Sequence, residues 1–194
     1  MTMLDTQVED RLLTSLSQFL AAQSAGTTRF VIADAYLSVD NLFSAILILR
    51  NKKPSTNHKV KLQEAWKELE TELKEEGVTL DEVEKFRDMW NSIRYSSQIT
   101  PSTSDAIRLR NIARLVRHIV ISEVAAKVGQ SEEEVEDGLY VKLLGARFTI
   151  VDDAVSEVHE AWQQHLETMG EMGQGSKLGN KLANPSNYAE ISVF

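Results

Sequence analysis

Hydrophobic positions along this chain recur at helical rather than strand spacing. Leu12, Leu13, Leu16, Phe19 and Leu20 fall at three- and four-residue steps, the pattern of one buried stripe on a helix from about 4 to 22. From Thr28 to Arg50 the apolar side chains go almost all the way round. Small residues (Ala33, Ala35, Ser38, Ser44, Ala45) are interspersed there, where a neighbouring helix can approach closely. This second segment is therefore expected at the centre of a bundle. A loop over 51–57 ends it. A charged third helix from about Lys59 to Glu75 turns Leu62, Ala65, Trp66, Leu69 and Leu73 inward, and Gly77 terminates it. Thr79 followed by Glu82 forms a capping box that predicts a fourth helix over 79–96, through Phe86, Trp90 and Ile93. A fifth opens after Pro101, in Ser102-Thr-Ser-Asp105, and extends to near Lys127.

Gly129 and a second capping box, Ser131 with Glu134, mark the next boundary. Helices are expected over 131–144 and about 150–169, with Arg147-Phe-Thr-Ile-Val151 β-branched enough for a short extended piece. Beyond Met169 the periodicity stops, and Gly170, Gly173, Gly175 and Gly179 lie among Ser, Asn and Pro. The pattern predicts an all-α protein: an up-and-down helical bundle of four to five core helices with additional C-terminal helices. Residues 1–129 form the bundle, 130–169 a helical extension packed on it, and 170–194 a flexible or wrapped tail.

Composition narrows the chemistry. With 194 residues, 42% of them hydrophobic, the chain can bury one substantial core but not two large ones. The absence of cysteine removes disulfides, thiolate metal sites and cysteine nucleophiles, which suits a cytoplasmic setting. Asp34, Asp40 and Asn41 interrupt the longest apolar stretch, and acids stand near the N-terminus where an export signal carries bases, so neither a membrane span nor a signal peptide is expected. A formal net charge of -8 leaves phosphate binding to a local basic patch.

Four local patterns occur in order: Tyr36-Leu-Ser-Val-Asp-Asn-Leu-Phe-Ser-Ala45 on the central helix, Lys53-Pro-Ser-Thr-Asn-His58-Lys in the loop after it, Trp90-Asn-Ser-Ile-Arg94-Tyr95, and Ser102-Thr-Ser-Asp-Ala106 opening a long helix. Over residues 28–127 this succession resembles the HEPN superfamily of small helical bundles. The resemblance implies a four- or five-helix bundle that dimerises with itself. It further implies a role in toxin-antitoxin or defence systems, as a metal-independent ribonuclease or as the partner of a small nucleotidyltransferase. Ribonuclease members carry an Arg and a His separated by four to six residues on a late helix. Here three residues lie between Arg114 and His118 and seven between Arg110 and His118, so the standard pair is missing.

At 100° per residue, Arg110, Arg114, Arg117 and His118 fall within roughly a 100° arc of the fifth helix, while Leu109, Ile112, Ala113, Val116, Ile119 and Val120 face the other way. Such a ridge can hold phosphates bidentately while one histidine moves a proton. The plain alternative is a solvated face, or ion pairs with acidic helices. Arg94 and Tyr95 are candidates to join the ridge, Tyr95 by stacking a base; the plain alternative puts Tyr95 in the core and Arg94 in a local ion pair. His58 reads as a turn-closing residue or a carboxylate partner.

Ala125, Gly129 and Val135 have helix-turn-helix offsets, but the recognition helix would begin Ser131-Glu-Glu-Glu134 and continue to Glu136-Asp137, which argues against sequence-specific DNA binding. His159 and His165, six apart, fall on opposite sides of a helix and do not make a metal site; the Gly173-Gln-Gly175 stretch lacks the strand and helix of a phosphate loop. The expectation is a nucleotide- or RNA-recognising or partner-binding bundle without cofactor or metal, with Arg110, Arg114, Arg117, His118, Arg94 and Tyr95 as its site. The alternatives are a helical adaptor for another protein, and a ribonuclease using a displaced pair, His118 with Arg114 or Arg110.

Overall fold

Side-chain caps start the helices where the sequence places them. In the computed structural model, which describes residues 4–95 and 100–145, Asp5 accepts from the Gln7 amide ahead of α1 (Thr6–Ser24), and Thr27 from the Phe30 amide ahead of α2 (Thr28–Leu49). Asn57 accepts from the Lys59 and Val60 amides at the start of α3 (His58–Glu75). Thr79 caps α4 (Leu80–Tyr95), and a reciprocal Ser102–Asp105 box opens α5 (Thr103–Val128). Ser131 and Glu134 do the same for α6 (132–145). Gly77 and Gly129 take positive φ, 68° and 74°, where the chain turns out of α3 and α5.

Six helices and no strand occur among the described residues, an all-α bundle as the periodicity predicts. Two compact units divide the chain, Met1–Leu143 and Leu144–Phe194. The first holds all five core helices and most of α6. Of the second only 144 and 145 are described, so the expected helix over 150–169, the extended piece around Phe148, the His159 and His165 pair and the tail lie outside the described residues.

α2 is the centre, packing against α1, α3, α4 and α5. Fifteen of its 22 residues are buried, among them Tyr36, Leu42, Phe43, Ile46 and Leu47. The small residues act as anticipated: Ser15 and Ser38 meet at 2.8 Å where α1 crosses α2, and the Ser38 hydroxyl also donates to the Ser15 carbonyl at 3.0 Å. By length and hydropathy α2 meets the criterion for a membrane-crossing helix, although 78% of its most apolar stretch is buried in the bundle. Within it, Asn41 donates to Gln18 and accepts from Arg11 on α1.

Ion pairs tie the helix ends. Arg50, just past α2, reaches Glu123 on α5 at 2.9 Å and also Glu68 on α3, which Lys52 contacts as well. Arg108 on α5 holds Glu82 at the start of α4 at 2.7 Å, and Lys85 meets Asp105 at 2.7 Å.

These contacts lower three carboxyls from their ordinary values: Glu68 chiefly through Lys52, Glu82 chiefly through Arg108, and Asp105 through Lys85 and then Ser102. Each carboxyl therefore binds its proton less tightly in the fold than in the unfolded chain. The unfolded state takes up more protons in that range, so stability rises with pH there and falls as pH drops through the depressed folded values. Urea unfolding midpoints should be level above about pH 6 and decline below about pH 4.5. Glu82→Gln should flatten part of that decline, and an unchanged profile would remove the Arg108 contact from the account.

Candidate functional site

A carboxylate in the middle of the most apolar helix needs partners, because leaving water costs an ion far more than an aliphatic group gains. Asp40 on α2 is buried and finds two, both from α3. Its Oδ2 accepts from Lys61 Nζ at 2.6 Å, and its Oδ1 lies 2.9 Å from His58 Nδ1. Lys61 is itself buried and donates a second bond to Ser44, one turn further along α2, at 3.2 Å. Four polar groups from two helices thus form one internal network. His58, the first residue of α3, is its end nearest to solvent.

The network meets α4 through aromatic rings. His58 packs edge-on against Trp90 with centroids 4.8 Å apart, and Trp90 lies 5.0 Å from Tyr36. Burial raises the Tyr36 phenol well above its ordinary value, with the Asp40 charge adding to the effect, and its hydroxyl has no hydrogen-bond partner. One turn before Trp90, Arg87 binds Asp88 through Nε and Nη2 at 3.0 and 2.5 Å, and its Nη1 stands 3.7 Å from Glu84, buried and without a hydrogen-bond partner. One turn after Trp90, Arg94 lies over its ring at 4.9 Å and near the Tyr95 ring at 5.5 Å.

His58, Lys59, Arg87, Trp90 and Asn91 line a cavity of about 330 Å³ together with Thr56 and Asn57. With Nδ1 turned to Asp40, Nε2 is the ring nitrogen of His58 left for that cavity. Two cations, an anchored imidazole and an aromatic face converge there. That donor set suits an oxyanion attached to a ring system.

The residues singled out from sequence are placed differently from expectation. Arg117 is buried, with Nε 3.1 Å from Glu136, because α6 folds back onto that face of α5. His118 is exposed but lies 3.1 Å from Glu132. Arg114 is exposed beside Phe19, and Arg110 is half-buried. The ridge is therefore not a single open cationic surface: carboxylates from Glu132, Glu133, Glu136 and Asp137 line the same cavity as Arg114, Arg117 and His118. Arg94 and Tyr95 line neither of the cavities that His118 lines. Tyr95 is not core but 77% exposed, and Arg94 sits against rings rather than in an acid pair. Ala125 and Val135 are buried around Gly129, the geometry of an ordinary helical hairpin.

His58 does pair with a carboxylate, one of the two roles read for it. Asp40, Lys61 and Arg87 went unread as site residues. Their signal was present in part: an Asp inside an apolar helix, and a Lys directly before Leu62 on the inward side of α3. Arg87 carried no such signal. Against known proteins, the chain matches no family model, no curated protein and no solved structure.

Removing one member of a buried ion pair strands the other. Asp40→Ala and Lys61→Met should each cost about 3–5 kcal/mol in urea unfolding, while the double variant should cost clearly less than their sum. Additive losses would mean that the two side chains are not energetically coupled.

Proposed function

We propose that this chain is a HEPN-like bundle that recognises a phosphate-bearing ligand, a nucleotide or RNA, in the cleft between the start of α3 and one face of α4. The observation that carries the reading is the convergence on one cavity of an imidazole anchored by Asp40 and a guanidinium whose buried Nη1 makes no hydrogen bond, its nearest carboxylate, Glu84, standing 3.7 Å away. A phosphate oxygen accepts from the guanidinium and from Nε2 of the imidazolium form of His58, Lys59 adds charge, and the first amides of α3 add their dipole. Trp90, with Arg94 and the exposed Tyr95 a turn further along α4, supplies flat surface for a base. The resemblance over residues 28–127 points the same way, since the quoted segments around Tyr36, His58 and Trp90 are those that meet here.

The site is one of recognition. An acidic chain pays for every phosphate it approaches, and Asp88 already holds two nitrogens of Arg87. Binding is therefore expected to be modest and strongly weakened by salt. A second reading, a metal-independent ribonuclease using Arg114 with His118, draws on their shared cavity. RNA cleavage without metal, lost in His118→Ala, would favour it.

Fluorescence anisotropy with labelled oligouridine, and competition by ATP, tests the cleft. Arg87→Ala and His58→Ala should each weaken binding by about tenfold, the order expected for one charge-assisted hydrogen bond. Asp88→Asn should tighten it, because the phosphate no longer competes with a carboxylate for the same guanidinium. Unchanged affinity in all three variants would remove the cleft from the function.

A further inference from the structure

The face of α5 that carries Arg114, Arg117 and His118 is covered from within the chain. α6 is joined to α5 by the left-handed turn at Gly129 and lays its acids opposite those cations. Glu136 takes the Nε of Arg117 at 3.1 Å, and Glu132 stands 3.1 Å from His118 Nδ1. The contact is imperfect in a telling way. Arg117 has a side chain only 7% exposed, yet its Nη1 and Nη2 have no hydrogen-bond partner, and its guanidinium lies 5.9 Å from the Tyr140 ring. A guanidinium offers five donors, and here a single carboxylate oxygen answers one of them. An open cleft of about 470 Å³ remains where the two helices meet Phe19 of α1. A permanent hairpin core would be expected to close such a gap and to satisfy that cation.

α6 is also lightly held. Val135 and Leu139 are its buried apolar side chains, while Val141 is 69% exposed. α2 buries fifteen residues over 22. Segments with few buried contacts are the ones that open without global unfolding.

We infer that α6 is an acidic cover over a latent nucleic-acid-binding face of α5, its carboxylates standing where the phosphates of a single strand bind once α6 is displaced. The cations recur at one-turn intervals along α5, a rise of about 5.4 Å per turn, close to the separation of successive phosphates on an extended strand. Tethering makes the weak carboxylate contacts effective competitors, because the cover is always present at high local concentration. This inference concerns a different surface from the α3–α4 cleft and does not depend on it.

The test uses the full chain with Arg87→Ala, so that the cleft contributes little. On that background Glu132→Gln, Glu133→Gln, Glu136→Gln and Asp137→Asn discharge the cover. A control discharges four exposed carboxylates elsewhere: Asp10→Asn, Glu75→Gln, Glu76→Gln and Asp81→Asn. Affinity for fluorescein-labelled oligouridine should rise at least about tenfold with the discharged cover and much less in the control, which carries the same net charge. Adding Arg114→Glu and His118→Glu, both at exposed positions, should abolish the gain.

Equal gains in cover and control variants, or no gain in a cover variant with unchanged circular dichroism, would overturn the inference. If the cover variant does not fold, hydrogen–deuterium exchange on the Arg87→Ala chain decides. Oligouridine should speed exchange of the α6 amides over 132–143, and unchanged exchange at saturating oligouridine counts against displacement.

Discussion

The buried bond between Asp40 and Lys61 fixes how the rest of this bundle is arranged. α2 is apolar enough to sit in any neighbour's groove, and aliphatic packing alone tolerates rotation and sliding at little cost. A charge in its middle does not. Asp40 and Lys61 are both buried, at 2.6 Å, so α3 must present one particular turn to one particular turn of α2, or strand an ion in the core. Once that register is set, His58 three residues earlier falls against the other oxygen of the same carboxylate. The loop from α2 to α3 then ends at the mouth of the cleft. Specificity of arrangement is the return on a pair that adds little net stability over a hydrophobic alternative.

The same constraint reaches α4. His58 held by Asp40 gives Trp90 an edge to pack on, and Trp90 in turn meets Tyr36, one turn before Asp40 on α2. Arg87 and Arg94 lie one turn to either side of Trp90, on the same side of α4 by helical spacing. Three helices thus meet at one point, and the polar end of that junction is the one open to solvent. A core interaction and a candidate binding surface are here two ends of one hydrogen-bonded chain, which places the imidazole without help from the mobile end of a long side chain.

Much of the fold was legible in the sequence because helical period, capping boxes and glycine stops are local signals. Ser102 with Asp105, Thr79 with Glu82, and Gly77 and Gly129 each act within four residues of themselves. The site was less legible because its members are brought together by packing. Arg87 looks like any helix-surface arginine until α3 is docked. A helical wheel drawn for α5 alone puts Arg110, Arg114, Arg117 and His118 on one arc, but it is blind to a later helix folding onto that face. Arg117 is buried because α6 is amphipathic in a second sense, with Val135 and Leu139 inward and carboxylates beside them. Tyr95 failed in the opposite direction: at the end of its helix, past Ile93, no neighbour among the described residues buries it.

Charge distribution connects the two surfaces. A chain with a net charge of -8 repels polyanions at long range, so any phosphate recognition must come from places where local fields reverse the global one. Cations gather at two places among the described residues, and the two are built in different ways. In the α3–α4 cleft the cations face a concave, partly aromatic wall, and the acids that compete for Arg87, Glu84 and Asp88, are on the same helix as the arginine. On α5 the competing acids come from a separate helix that can move as a unit. The first arrangement sets affinity by a fixed local balance; the second makes affinity depend on whether a lightly packed helix is in place. An acidic helix next to a cationic one is ordinarily read as mutual stabilisation, but stabilisation would have satisfied Arg117 more fully than one oxygen does.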